Sequence, residues 1–292
     1  MKKFLSLLLA LTMLFTFVAC SSSGEEEQSD PAQDQQQSGE SGGEAAGAEK
    51  TTVDIIKEKG KIVLGTSADY PPFEYHMMVD GKDTIVGFDI EIAKLIAAKL
   101  GVELEITDMA FDALLMSLQA GQFDMVIAGL TYSPDRYGLF SDPYLTEGQA
   151  VLIHVDNKDV LKTEADLMGK GVGAQKGTVQ ANLAKAVTDA DKVLELVKFP
   201  DLVMELKGKK IDAVVVDAAV ASDYLEANPD LIDSGIILED GLVHKCVAVQ
   251  EGNDALIAVI NEVIAAGLAD GSFDALMAEA NSNAQYEIKP AA

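Results

Sequence analysis

The sequence predicts an α/β protein built as two lobes around a cleft, and three observations predict it. Strand and helix patterns alternate from Lys61 to Ala128, which is the grammar of a parallel sheet. The alternation restarts at Gly171 and runs on to about Asn281. Four polar residues, Ser67, Thr131, Thr178 and Asp217, follow predicted strands, two in each half. Open parallel sheets bind their ligands at those carboxyl ends.

In the first half, Lys61–Thr66 reads as a strand. Asp89–Leu100 reads as a helix, with Ile92, Leu95, Ile96 and Leu100 on one face, Asp89 as N-cap and Gly101 as the stop. Leu104–Thr107 is a strand, Asp112–Ala120 a helix closed by Gly121, and Met125–Ala128 a strand. In the second half, Gly171–Ala174 is a strand, followed by a helix to about Val187, a strand at Val193–Phe199 and a helix at Asp201–Leu206. Ile211–Val216 is a strand ending at Asp217, with a helix to about Glu226. A strand at Cys246–Val249 precedes helices at Asn253–Leu268 and Ser272 to about Asn281.

The N-terminus carries a different signal. Lys2 and Lys3 precede an apolar run, Phe4–Val18, too short and wrongly flanked to span a membrane. Residues 1–19 therefore read as a signal peptide. Ala19-Cys20-Ser21 resembles the bacterial lipobox, with Phe17 standing where an aliphatic residue is usual, and the resemblance makes Cys20 the expected lipidation site and mature N-terminus; the alternative is an ordinary signal peptide with an incidental cysteine. Residues 21–50 hold eight acids, no aromatic and no basic residue before Lys50. Such a stretch cannot bury enough apolar surface to offset its ordering entropy, so 20–50 reads as an acidic tether. No later run approaches the length of a membrane span.

The formal net charge of −26 argues against nucleic acid and anionic membrane surfaces as partners, leaving the lipid as the expected membrane contact. The two cysteines give no disulfide framework, and Cys246 reads as a small buried hydrophobe. His76, His154 and His244 are scattered without ligand spacing, so no metal and no cofactor are expected.

The segment from Asp124 to Tyr144 is the most informative. A short strand runs into Gly129 and Thr131, and Arg136 follows five residues after the threonine. A guanidinium grips a carboxylate through two parallel charged hydrogen bonds, and hydroxyl and amide donors take the remaining lone pairs. Upstream, Tyr70-Pro71-Pro72-Phe73-Glu74 places an aromatic on a stiff turn. Asp217 and Thr178 also read as helix N-caps, and Tyr70 and Phe111 as core aromatics.

Gly65–Tyr75, Gly87–Glu91, Phe111-Asp112 and the arginine segment together resemble the solute-binding proteins of amino-acid ABC transporters, the polar amino-acid (family 3) class, from about Lys61 to Asp274. The resemblance implies a two-lobed periplasmic-binding-protein-like fold, two Rossmann-like lobes joined by a two-strand hinge near Tyr144–Gly148 and Gly241–Lys245. One lobe takes residues 51–145 and 245–292, the other 146–244. It implies that Arg136, seven residues after Gly129, binds a ligand's α-carboxylate with Thr131 in support. It implies that Thr178 and the backbone of Val179, in a loop with Gln175, complete that grip, that Asp217 binds the α-ammonium, and that Tyr70 and Phe111 sandwich the side chain. Gln175 and Gln180 are further hydrogen-bonding candidates. Ser67 stands where several members are acidic, and the segment after Arg136 is about two residues shorter than usual. The implied partners are a free polar amino acid and an ABC permease, and the implied protein is an extracytoplasmic monomer. The alternatives are a secreted enzyme on the same scaffold, such as a cyclohexadienyl-dehydratase-like protein, or a receptor sensor domain. An enzyme would need a tuned acid or base in the cleft, and Glu74 is the only unassigned carboxylate near it.

Overall fold

The computed structural model describes residues 50–238 and 241–284; the expected signal peptide and Cys20 lie outside them. Thr51 and Asp54 form a capping box that starts α1 (Thr52–Lys59). This helix carries too few apolar residues for its periodicity to show in the sequence. After β1 (Lys61–Thr66), the chain makes a small antiparallel ribbon of β2 (Asp69–Tyr70), β3 (Glu74–Val79) and β4 (Lys82–Val86). Asp80 and Gly81 turn the β3–β4 hairpin, both at positive φ. Then come α2 (Phe88–Leu100), β5 (Glu103–Asp108), α3 (Leu114–Gln119), β6 (Met125–Val126) and β7 (Leu139–Phe140).

The long strand β8 (Leu145–His154) leads into β9 (Val172–Gln175), α4 (Val179–Val187), β10 (Val193–Leu196), α5 (Phe199–Lys207), β11 (Ala213–Asp217), α6 (Ala218–Ala227) and β12 (Leu231–Asp233). The chain returns through β13 (Leu242–Lys245) and β14 (Ala248–Val249) to α7 (Asp254–Asp270) and α8 (Ser272–Ala284).

Two main sheets result, one per lobe. The first has the order β5-β1-β6-β14-β7, parallel through β5, β1 and β6. The second has the order β10-β9-β11-β8-β12, parallel through β10, β9 and β11. β8 belongs to two neighbourhoods: its first residues pair with β13, Leu145 opposite Lys245, and its last with β11 and β12. The chain thus passes between the sheets twice, along β8 and β13.

Several expected boundaries shift for physical reasons. Helix α2 starts at Phe88 with Gly87 as N-cap, so Asp89 is not the cap. It sits inside the first turn, wholly buried, and its carboxylate accepts from the Gly129 N–H at 2.6 Å and the Tyr144 hydroxyl at 2.9 Å. Phe199 opens α5 instead of ending a strand, because Pro200 in the first turn fixes a helical φ. Cys246 is buried as expected, but lies just ahead of β14.

Candidate functional site

Strand ends from both lobes converge on a small cavity. Its lining includes Ser67, Tyr70, Phe111, Gly129, Thr131, Arg136, Gln175, Thr178 and Asp217, together with Asp69, Glu74 and Gln180. Val179 does not line it. As the first residue of α4 it turns its side chain toward a neighbouring hollow beside Tyr132 and Leu242, which leaves only its backbone at the helix start.

Arg136 lies at one end. Nη1 donates to the Thr131 carbonyl and Nη2 to the Gly177 carbonyl, each at 2.8 Å, so the guanidinium touches both lobes. Its carbon sits 5.5 Å from the centre of the Phe111 ring, within cation–π range. Phe111 therefore supports the arginine. Burial pulls the guanidinium down to about 10 while the charge of Asp217 opposes the shift; it stays protonated at neutral pH. Two of its five donors are engaged, and the others are available to an anion.

At the other end, Asp217 is 1 % exposed. It occupies the N-cap position of α6 but makes no cap bond. The helix start is served instead by Glu147, whose Oε2 accepts from the Ala219 N–H at 2.9 Å. Asp217 Oδ1 accepts from Gln180 Nε2 at 2.7 Å, and Oδ2 from the Tyr70 hydroxyl at 2.8 Å and from Lys245 Nζ at 2.6 Å. Lys245 has no exposed surface. Its ammonium also donates to the Gly129 carbonyl at 2.8 Å and Thr131 Oγ1 at 3.1 Å. Three acceptors match the three protons of an ammonium.

The hydroxyl of Thr178 is already engaged. It caps α4 by accepting from the Ala181 N–H at 3.2 Å and donates to the Gln175 carbonyl at 2.6 Å. Its proton is committed to the chain, whereas the proton of Thr131 is free to point into the cavity. The Tyr70 ring stacks on Phe73 and meets Phe199 edge-on. Gln175 donates to the Val197 carbonyl at 3.0 Å and reaches Asp69 at 3.4 Å.

Two carboxyls support the site from beneath. Burial, reinforced by the neighbouring charge of Asp89, holds Glu74 well above the usual carboxylate range, so it keeps its proton and bonds Asp89. Asp89 in turn fixes the Gly129 turn. Asp69 accepts long bonds, 3.3 Å each from Ser67 Oγ and the Phe199 N–H, and burial raises it to about 6.

Asp69 and Lys245 are the two charged groups at the site that the sequence reading did not assign. Asp69 lies two residues from Ser67, and nothing in its neighbours separates it from a surface acid. Lys245 did leave a signal: it is a lone cation entering the apolar run Cys246–Val249, and lysine is almost never wholly buried unless paired.

Residues 62–281 match the model of the bacterial extracellular solute-binding proteins, family 3. The arginine-binding extracellular protein ArtP of Bacillus subtilis is 35% identical over 244 residues, 82% of each chain. The crystal structure of AbpA, an amino-acid ABC transporter substrate-binding protein from Streptococcus pneumoniae bound to L-arginine, superposes with a TM-score of 0.77 at 36% identity, covering 80% of this chain and 100% of that one. An ancestral amino-acid-binding protein, AncCDT-1, described as a precursor of cyclohexadienyl dehydratase, matches with a TM-score of 0.70 at 31% identity, covering 79% of this chain and 99% of that one. With its two α/β lobes and the cavity between them, the chain belongs to the bacterial extracellular solute-binding proteins, family 3, which places it outside the cytoplasm.

Proposed function

We propose that this protein captures a free amino acid between its lobes and delivers it to the permease of an ABC importer. One observation carries the reading: the cavity has a guanidinium with unused donors at one end and, at the other, an acceptor set that holds a primary ammonium. That polarity fits a zwitterion. Arg136 takes the α-carboxylate with Thr131, and the seat formed by Asp217, Thr131 and Gly129 takes the α-ammonium once Lys245 yields it. Tyr70, Phe111, Gln175 and Gln180 face the side chain, and Asp69 offers an acceptor to a polar or cationic group. Ser67, Thr178 and the backbone at the α4 start complete the wall.

In this reading the chain is a binding protein and not an enzyme, since the one protonated acid lining the cavity, Glu74, is turned to Asp89. The signal peptide (1–19), the lipid on Cys20 and the tether (20–50) keep a monomer close to the membrane. The lobes divide as 51–145 with 245–292 against 146–244. Thermal melts with each of the twenty amino acids test the reading: a ligand at 100 times its Kd stabilises by about 2.7 kcal/mol. If none of the twenty shifts the melt, the reading fails.

A further inference from the structure

The ammonium of Lys245 and the α-ammonium of an amino acid call for the same three atoms, Asp217 Oδ2, Thr131 Oγ1 and the Gly129 carbonyl. The seat holds one ammonium. With Lys245 in it, Asp217 Oδ2 takes two bonds, from Lys245 and Tyr70, and Oδ1 one, from Gln180, so its charge is paired without a ligand. A ligand that brings no ammonium leaves this arrangement intact and needs only Arg136 and the side-chain contacts.

We propose that Lys245 extends the ligand class of the cavity to carboxylates that carry no α-ammonium, its own ammonium standing in for the missing one. The inference rests on the reading that Arg136 grips the ligand's carboxylate. In a site whose aspartate waited for a ligand cation, a deaminated ligand would bury an unpaired charge, which a buried site does not tolerate. Sites built to bond a polar substrate group reject the analogue lacking it by about 10⁴-fold. Here the chain supplies the partner itself.

The geometry also provides for amino acids. Glu147 lies diagonally across the β8–β13 pair from Lys245, because Leu145 faces Lys245 directly. Its Oε1 is buried and has no hydrogen-bond partner, while Oε2 serves the Ala219 N–H. An ammonium displaced from Asp217 therefore has a second carboxylate within reach on the same face of the ribbon. Lys245 leaves the seat for an amino acid and keeps it for a plain carboxylate, so one cavity serves both.

Calorimetry on the full chain with matched pairs tests this: L-arginine and 5-guanidinopentanoate, L-glutamine and 4-carbamoylbutanoate, L-histidine and 3-(imidazol-4-yl)propanoate. In the pair that binds, the deaminated member is expected within about tenfold of the amino acid, against the 10⁴-fold of an ordinary site. Lys245→Met is expected to hold the amino acid at least as tightly and to lose the deaminated member by about a hundredfold or more. A deaminated member bound more than about tenfold weaker by the wild-type protein overturns the inference and leaves the amino-acid reading standing. Binding of a deaminated member alone supports the inference and removes the ammonium part of that reading. No binding in any pair overturns both. The wild-type comparison decides the matter by itself if Lys245→Met does not fold.

Discussion

Arg136 reaches both lobes through single carbonyl bonds, so its remaining donors are fixed in direction before a ligand arrives. Arg136→Ala is expected to leave a bound carboxylate unpaired in a buried site and to weaken binding by roughly 3–5 kcal/mol. Arg136→Lys should recover little, because a point charge replaces a planar fork and the stacking on Phe111 is lost; calorimetry with the ligand found by the melts reads both. Near-wild-type affinity in the alanine variant would remove Arg136 from the site. Asp69 yields a pH prediction. Burial raises it from 3.8 to about 6, and its bonds from the Phe199 N–H, Gln175 and Ser67 offset only part of the shift. A carboxyl raised on folding contributes stability fully present below 3.8 and lost as the pH climbs through about 6. Asp69→Asn mimics the protonated acid and removes that loss. The melting temperature of the variant minus that of the wild type should therefore rise between about pH 4 and about pH 7; a flat difference would show that Asp69 does not titrate in this window. At this scale the sequence spoke through pattern alone. Arg136 and Asp217 stand at fixed places relative to strand ends, whereas the importance of Asp69 comes from burial by Phe199, a residue far along the chain.

The elements that shape the cavity meet as loop against loop. The turn after β9 carries Lys176, paired with Asp112 at 2.7 Å, and Gly177, whose carbonyl receives Arg136. Gly177 has φ +80°, and a Cβ there would stand 3.0 Å from the Cβ of Asp112 in the opposite lobe. Gly177→Ala should therefore act on the approach of the lobes more than on either lobe alone. The expected result is an affinity lowered about tenfold or more, with the unfolding free energy reduced by only about 1–2 kcal/mol from the left-handed backbone. Affinity unchanged beside the same stability loss would mean that this approach is not needed for binding. Helices with a full apolar face, such as α2 and α7, were legible because the 3.6-residue period repeats over several turns. The ribbon of β2, β3 and β4 was not. Met77, Met78 and Val79 form a consecutive apolar run on a strand whose end is exposed, and period-2 alternation never develops there. The start of α5 was misplaced for a related reason. Val193–Phe199, apolar but for Glu195 and Lys198, reads as one strand, and its last residue, Phe199, owes its helix to Pro200 and to Asp69 accepting from its N–H.

Across the whole molecule, the alternating pattern gave the parallel βαβ core of each lobe, but not α1, the β2–β4 ribbon or the long strand β8, and the meeting of the lobes depends on distant pairs that no local window contains. Tyr70 reaches Asp217, Asp69 reaches the start of α5, and Arg136 reaches Gly177. The two lobes are joined along β8 and β13, whose pairing from Leu145–Lys245 to Gly148–Leu242 is a narrow ribbon that can bend without breaking either sheet. Tyr144 anchors its first-lobe end, donating its N–H to the Lys245 carbonyl at 2.9 Å and its hydroxyl to Asp89. A ligand gripped from both sides satisfies all its polar groups only when the lobes are together, and that differential affinity shifts the population toward the closed form. Under the proposed function, this change of shape is what would let a permease tell loaded from unloaded protein. Small-angle scattering is expected to give a smaller radius of gyration at saturating ligand than without it. The measurement belongs at about 0.15 M salt, where the Debye length of about 8 Å keeps repulsion between chains of net charge −26 from distorting the curve. Tyr144→Pro removes the N–H that ties the ribbon to Lys245, and with it a buried ring packed on Phe88 and the hydroxyl bonded to Asp89, so it should weaken binding and also destabilise the first lobe. An unchanged radius at saturation, together with wild-type affinity in Tyr144→Pro, would mean that the ribbon is a rigid strut and that the ligand enters a cleft already formed.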